Sequence, residues 1–98
     1  MFESAAPLRA EFEELETALA DPAVHADLAR ARKVGRRYAE LTPVIKALDE
    51  YARLTDDLEA AKELAEEDRS LATEAAELEA RLGPVTERLT RLLAPRDP

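Results

Sequence analysis

A regular apolar stripe in the last third of the chain constrains the fold more than any other feature. Steps of four and three residues alternate along it without interruption. Such steps place side chains on one face of a helix, and repeated over several turns they are the spacing by which helices supercoil against one another. We therefore expect a helix over residues 69–93 that packs lengthwise on another helix. The stripe consists of Leu71, Ala75, Leu78, Leu82, Val85, Leu89 and Leu92.

Two earlier segments carry stripes of the same kind. They predict a short helix over 8–20 and a long helix over 27–66, with turn and capping residues at Asp21–Pro22, at Asp27 and at Asp68 or Ser70. The short helix has Leu8, Phe12, Leu15 and Leu19; the long helix has Val34, Tyr38, Leu41, Ile45 and Leu48, then a displaced second stripe of Val44, Leu48, Tyr51, Leu54, Leu58, Ala61 and Ala65.

The stripes match one another when neighbouring helices are set antiparallel. Ala61 then lies opposite Ala75, and Leu58 lies opposite Leu78. The predicted fold class is all-α: an elongated, coiled-coil-like antiparallel helical hairpin with a shorter N-terminal helix packed on it, three helices in total. The expected shared core consists of Phe12, Tyr38, Leu41, Ile45, Leu89 and Leu92.

Two prolines fall inside the predicted helices. The apolar spacing continues in phase across Pro43 and across Gly83–Pro84, and both rings point away from the apolar face. A proline on the outer side of a curved helix fits a bend. We expect two kinks and no breaks. The alternative is a restart at the first proline, with Thr42 as N-cap.

Composition narrows the function classes. The chain is 46% hydrophobic but 4% aromatic, and 37% of it is charged, which fits long helices with a narrow apolar seam. A net charge of −8 argues against broad contact with nucleic acid. The absence of cysteine excludes disulfides and thiolate sites. With no signal peptide or membrane-spanning stretch in the pattern, we expect a soluble, cytoplasmic protein and one helical domain over 1–98.

Catalytic and metal-binding patterns are missing. The single histidine, His25, is expected to be a solvated turn residue, and the acidic pairs such as Asp56–Asp57 are expected to be charged helix faces. Two glycines do not make a phosphate-binding loop. We predict no catalytic residue, no metal site and no cofactor, and so no enzyme within this chain.

One basic cluster stands out in this acidic chain. The sequence "RARKVGRR" places cations on the outer face of the long helix, where they either pair with nearby glutamates or contact RNA phosphates or an acidic partner. The candidate RNA or ribosome contacts are Arg30, Arg32, Lys33, Arg36 and Arg37.

Four segments together resemble a known family. They are "LADPAVHAD", "ARKVGRRYAELTPVIKAL", "AKELAEED" and the closing "LLAPRDP". The chain resembles the N-terminal domain of bacterial class-1 peptide chain release factors, and is closer to their release factor 1 branch, which reads UAA and UAG, than to their release factor 2 branch. The linker-like close is expected to lead into the rest of a longer protein.

This resemblance implies an accessory domain of a translation termination factor. The expected partners are the ribosome, at its stalk base and GTPase-associated region, and the class-2 release factor GTPase. In the family a Gly-Gly-Gln loop promotes peptidyl-tRNA hydrolysis and a tripeptide reads the stop codon, and this chain contains neither. The alternatives are a stand-alone coiled-coil adaptor or oligomerisation module, and a tRNA-binding helical arm.

Overall fold

Helices account for nearly all of the structure. The computed structural model describes residue 2 and residues 5–94, and no strand occurs among them. The helices are α1 (Ala6–Leu19), α2 (Pro22–Ala26), α3 (Leu28–Glu67) and α4 (Ala72–Leu93), with a 3₁₀ turn at Arg69–Leu71 before α4. The predicted all-α class is confirmed, but the predicted number of helices is wrong. Residues 1, 3, 4 and 95–98, including most of the linker-like close, lie outside the described residues.

The additional helix, α2, lies where the sequence indicated a turn. Asp21 caps it by accepting a hydrogen bond from the Ala23 N–H at 2.9 Å, and Pro22 occupies its first turn. An aspartate N-cap followed by proline is a helix start, so the turn residues form a helix of five residues. Asp27 closes α2 and caps α3 as predicted, because its Oδ1 accepts from the Arg30 N–H at 3.2 Å.

The chain divides into two compact units, residues 1–45 and 46–98. In the first, α1 has no fully buried residue, and its predicted stripe is half-buried. Phe12 of α1 stacks on Tyr38 of α3, with ring centroids 4.8 Å apart and planes inclined by 15°. Leu41 and Val44 are buried on α3. An aromatic contact, buried aliphatic side chains on α3 and half-buried ones on α1 therefore hold the first unit together.

The second unit has a more fully buried seam. Leu58, Ala61 and Ala75 form a buried cluster, against which Leu78 and Leu82 pack. Both predicted facing pairs, Ala61 with Ala75 and Leu58 with Leu78, thus lie in one cluster. Leu89 of the predicted core is fully buried, but Leu92 is 38% exposed and the prediction for it is wrong, because the last turn of α4 leaves this side chain open to solvent.

Both prolines lie inside continuous helices. Pro43 falls within α3 and Pro84 within α4, and both are exposed as the stripe phase predicted. The alternative of a restart at Pro43 is wrong. Thr42 does not cap a new helix: its hydroxyl donates back to the carbonyl of Tyr38 at 2.8 Å, a bond of the helix interior. The bends themselves remain a prediction.

Candidate functional site

The predicted basic cluster lies in the first three turns of α3. Its members differ in exposure: four are exposed to solvent, while Arg37 is half-buried. On a helix, residues three and four apart are neighbours with Cβ atoms about 5–6 Å apart, so the four exposed side chains form one continuous surface. We call this surface the basic face: Arg30, Arg32, Lys33 and Arg36.

Arg37 is engaged by α1. Its guanidinium donates two hydrogen bonds to the carboxylate of Glu11, from Nε to Oε2 at 2.5 Å and from Nη2 to Oε1 at 2.8 Å. A third reaches Glu40 Oε2 at 3.3 Å. The hydrogen bonds from Arg37 hold the pKa of the Glu11 carboxyl below its ordinary value, and those to Glu11 and Glu40 raise the pKa of Arg37. The structure therefore gives Arg37 a part in packing α1 on α3, which the sequence did not indicate.

The basic face has no carboxylates to neutralise it. No acidic residue occurs between Asp27 and Glu40, and Glu40 is bonded to Arg37. Asp27 is already occupied as a cap. None of the four cations forms an ion pair within the part of the chain that the structure describes. Pairing with nearby glutamates, the simpler of the two sequence interpretations, thus applies to Arg37 and to no member of the basic face.

The position of the basic face adds to its positive potential. Its first member, Arg30, lies in the first turn of a helix of 40 residues, where the partial positive charge of the helix dipole lies. Gly35 precedes Arg36 and is half-buried, and a Cβ built on it would meet no atom within 4 Å outside its own helix backbone and chain neighbours. Exposed like charges on one helix face repel each other, and a polyanion relieves that repulsion. The arrangement suits phosphate binding.

The remaining candidate, His25, has a structural role. Its Nε2 lies 2.5 Å from the carbonyl oxygen of Leu19, at the end of α1, so the ring ties α2 to that terminus. Among the described residues no group of three or more His, Cys, Asp or Glu side chains is placed to hold a metal ion. Within the same residues, no helix has both the length and the apolar character needed to cross a bilayer.

Comparison with known proteins places the chain in a family. The PCRF domain family matches residues 8–98. The chain belongs to the PCRF domain family. It is 54% identical over all 98 residues to peptide chain release factor 1 of Clavibacter michiganensis subsp. michiganensis, covering 27% of that protein. It is 51% identical over 98 residues to the same factor of Leifsonia xyli subsp. xyli, again covering 27%.

A mycobacterial relative gives the same result. The chain is 53% identical over 91 residues to peptide chain release factor 1 of Mycobacterium tuberculosis. These 91 residues are 93% of the chain and 26% of the relative. The PCRF-domain chain thus spans about a quarter of the length of the curated relatives it matches. No solved structure matches it. The resemblance to the N-terminal region of a bacterial class-1 release factor is confirmed.

Proposed function

We propose that this chain is the accessory ribosome-docking domain of a cytoplasmic translation termination factor. The relatives named above are peptide chain release factors, and the match to them extends over the whole chain. In our proposal the complete protein reads UAA and UAG and promotes peptidyl-tRNA hydrolysis with residues outside this chain. Its two glycines, Gly35 and Gly83, are far apart, so the chain carries no Gly-Gly-Gln loop.

The observation that carries the proposal is the basic face. Four exposed cations that have no carboxylate partner among the described residues are what a helix needs to bind a phosphate backbone. Each phosphate that a Lys or Arg neutralises contributes roughly −0.7 to −0.9 to the slope of log binding constant against log salt. Four contacts therefore predict a slope of about −3 for this surface. We assign the RNA of the stalk base and GTPase-associated region as its partner, with the class-2 release factor GTPase as a neighbour in the same assembly.

The leucine-rich seam has a structural role in this proposal. We infer that α3 and α4 run antiparallel as a rigid hairpin within residues 46–98. The buried cluster of Leu58, Ala61 and Ala75 supports this arrangement. So does the ion pair between Arg88 Nη2 and Glu50 Oε2, at 3.5 Å, which joins the two helices at a second level.

A charge reversal tests the docking role. In a release factor that contains this chain, we expect Arg32→Glu, Lys33→Glu and Arg36→Glu together to weaken ribosome binding and to slow termination. The matched control is Lys46→Glu, Arg53→Glu and Arg81→Glu, which makes the same change in net charge at exposed cations elsewhere. The measurements are ribosome binding across a salt titration and the single-turnover rate of peptide release.

Three results bear on the proposal. A loss confined to the basic-face variant, with the salt slope smaller by about 2 to 3, supports it. Equal binding by both variants, with circular dichroism showing intact helices, would remove the basic face from the function. A stable dimer of the chain in sedimentation, together with unchanged ribosome binding, would favour the coiled-coil adaptor instead.

A further inference from the structure

The negative charge of the chain is concentrated in one short segment. Residues 56–79 contain ten Asp and Glu against one Lys and one Arg, a net charge of −8. This equals the net charge of the whole chain, so the other 74 residues are balanced. The segment covers the end of α3, the 3₁₀ turn and the start of α4. This end of the second unit therefore repels polyanions and attracts basic surfaces.

A groove of about 510 Å³ lies in the same segment. It lies where the apolar stripe changes from leucine to alanine. On α3, Leu54 and Leu58 are followed by Ala61 and Ala65, and on α4 Ala75 packs in the same cluster as Leu58 and Ala61. Methyl groups fill less of the space between two helices than leucine side chains do, so a depression with an apolar floor remains. The residues that line it are Lys62, Ala65, Glu66, Arg69, Ala72 and Ala75.

The side chains that form the walls of the groove can pack against an apolar side chain of a partner. Lys62 and Arg69 are the only two cations of the segment, both line the groove, and neither forms an ion pair among the described residues. Long cationic side chains cover apolar surface with their methylene groups while their charged ends stay in water. The methylene groups of Lys62 and Arg69 can therefore add apolar surface to the sides of the groove, above the alanines at its base.

The turn that closes the groove is held in place by its own hydrogen bonds. Asp68 Oδ1 accepts from the Ser70 N–H at 3.0 Å and from the Ser70 hydroxyl at 2.7 Å. The Asp68 N–H donates to the carbonyl of Leu64 at 3.0 Å. A wall fixed in this way costs little ordering entropy when a partner binds.

From these features we propose that the groove receives a bulky apolar side chain from a basic protein segment. The side chain enters between Ala65 and Ala72, and Lys and Arg on either side of it pair with carboxylates of the acidic segment, of which Glu66 lines the groove. Apolar anchoring in a pocket provides affinity, while charge complementarity provides orientation and rate. This surface is separate from the basic face and takes a partner of opposite charge. It extends beyond the docking function proposed above and does not depend on it.

A double-mutant cycle tests the proposal with defined peptides. The ligands are a Lys/Arg-rich helical peptide of about 15 residues with one central phenylalanine, and the same peptide with alanine in that place. The groove is filled by Ala72→Leu or, from the α3 side, by Ala65→Met. The matched control is Ala80→Leu, two helical turns beyond Ala72 on α4, at an exposed residue that does not line the groove. Binding is measured by titration calorimetry and from the shifts of alanine methyl signals.

The expected result is a preference for the phenylalanine peptide of about tenfold, since burying such a side chain is worth roughly 1.5 kcal/mol or more. The preference should vanish in both groove-filled variants and persist in the control. Equal binding of the two peptides, or a preference that survives both fillings, overturns the proposal. It is also overturned if an oligouridylate, or a second copy of the chain at high concentration, shifts the groove methyls instead of the basic peptide. Unchanged circular dichroism and melting temperatures show that the variants are folded.

Discussion

Arg37 and Glu11 are joined across α1 and α3 by two parallel hydrogen bonds, at 2.5 and 2.8 Å. The fork of the guanidinium matches the two oxygens of a carboxylate, which a lysine in the same place cannot do. Because α1 has no fully buried residue, this pair and the stacked rings beside it account for much of what keeps α1 on α3. Arg37 thus differs in role from the four cations of the basic face.

Replacing Arg37 should lower stability and leave the charge-dependent docking unchanged. We expect Arg37→Lys to reduce the free energy of unfolding by up to about 1 kcal/mol, since exposed ion pairs contribute about 0.2–1 kcal/mol and a lysine cannot form the paired hydrogen bonds. Urea unfolding measures the loss, and a cycle with Glu11→Gln isolates the coupling between the two side chains. Arg36→Lys is the control and should have no effect. If both variants lose equal stability, the special role of Arg37 is wrong.

The same pair should make the first unit sensitive to acid. Hydrogen bonds from Arg37 hold the pKa of Glu11 below its ordinary value of 4.5. A carboxyl with a lowered pKa in the folded state adds stability that is complete above the unfolded pKa and is lost as the pH falls through the folded pKa. Between pH 7 and pH 3 the wild-type melting temperature should therefore fall more than that of Glu11→Gln. Parallel curves for the two proteins would contradict the expectation.

The turn before α4 should behave in the same sense at a second place. Hydrogen bonds from the Ser70 hydroxyl and N–H hold the pKa of Asp68 below its ordinary value of 3.8. Its contribution is complete above that value and is lost on further acidification. We expect the melting temperature of Asp68→Asn to fall less at acid pH than that of the wild type. Ser70→Ala should have a smaller effect, because the backbone N–H of residue 70 remains. Amide exchange of the Ser70 N–H locates the change.

The aromatic contact between α1 and α3 should be worth more than its apolar area. Stacked ring pairs contribute about 0.5–1.5 kcal/mol beyond area burial. We expect Phe12→Leu to cost about 1 kcal/mol, and Phe12→Leu with Tyr38→Leu to cost less than the sum of the single changes. Urea unfolding gives all three values. Strict additivity would show that the rings are neighbours without a specific interaction. Leu15→Ala, on the same half-buried stripe, controls for simple loss of volume.

Apolar spacing predicted most of the fold, because it depends on the period of the helix. It located three of the helices within three residues of their ends, and the buried cluster around Leu58 and Ala75. Residue types predicted Asp27 as a cap, and Asp68 or Ser70 as the next one, of which Asp68 is the cap in the structure. It missed α2, because five residues are too few to show a period, although Asp21–Pro22 is itself a helix-start signal. Leu92 continued the stripe in phase but is exposed, since spacing shows which side of a helix a residue is on and not whether anything covers it there.

The candidate site was predictable in part. Five neighbouring cations were visible in the sequence, but their division was not, since it depends on a carboxylate 26 residues away that reaches Arg37. Charge counting over the whole chain also concealed that the acidic excess is confined to residues 56–79. The sequence placed Ala61 and Ala65 in the second stripe of the long helix, but that a groove forms beside these small side chains is visible only in the structure.

The two glycines offer a final comparison, because both lie in continuous helices but only one of them precedes a proline. A Cβ on Gly35 or Gly83 meets nothing within 4 Å outside its own helix backbone and chain neighbours. Glycine is roughly 0.8–1 kcal/mol less favourable than alanine inside a helix, so Gly35→Ala should stabilise the chain by about that amount.

Gly83 precedes Pro84, whose ring crowds the Cβ of the residue before it. Gly83→Ala should therefore gain less, and should gain the full amount when Pro84→Ala is also present. Urea unfolding checks this with four variants: the two single glycine changes, Pro84→Ala alone, and Pro84→Ala with Gly83→Ala. A full gain at Gly83 with Pro84 intact would mean that the helix has already bent enough to relieve the crowding.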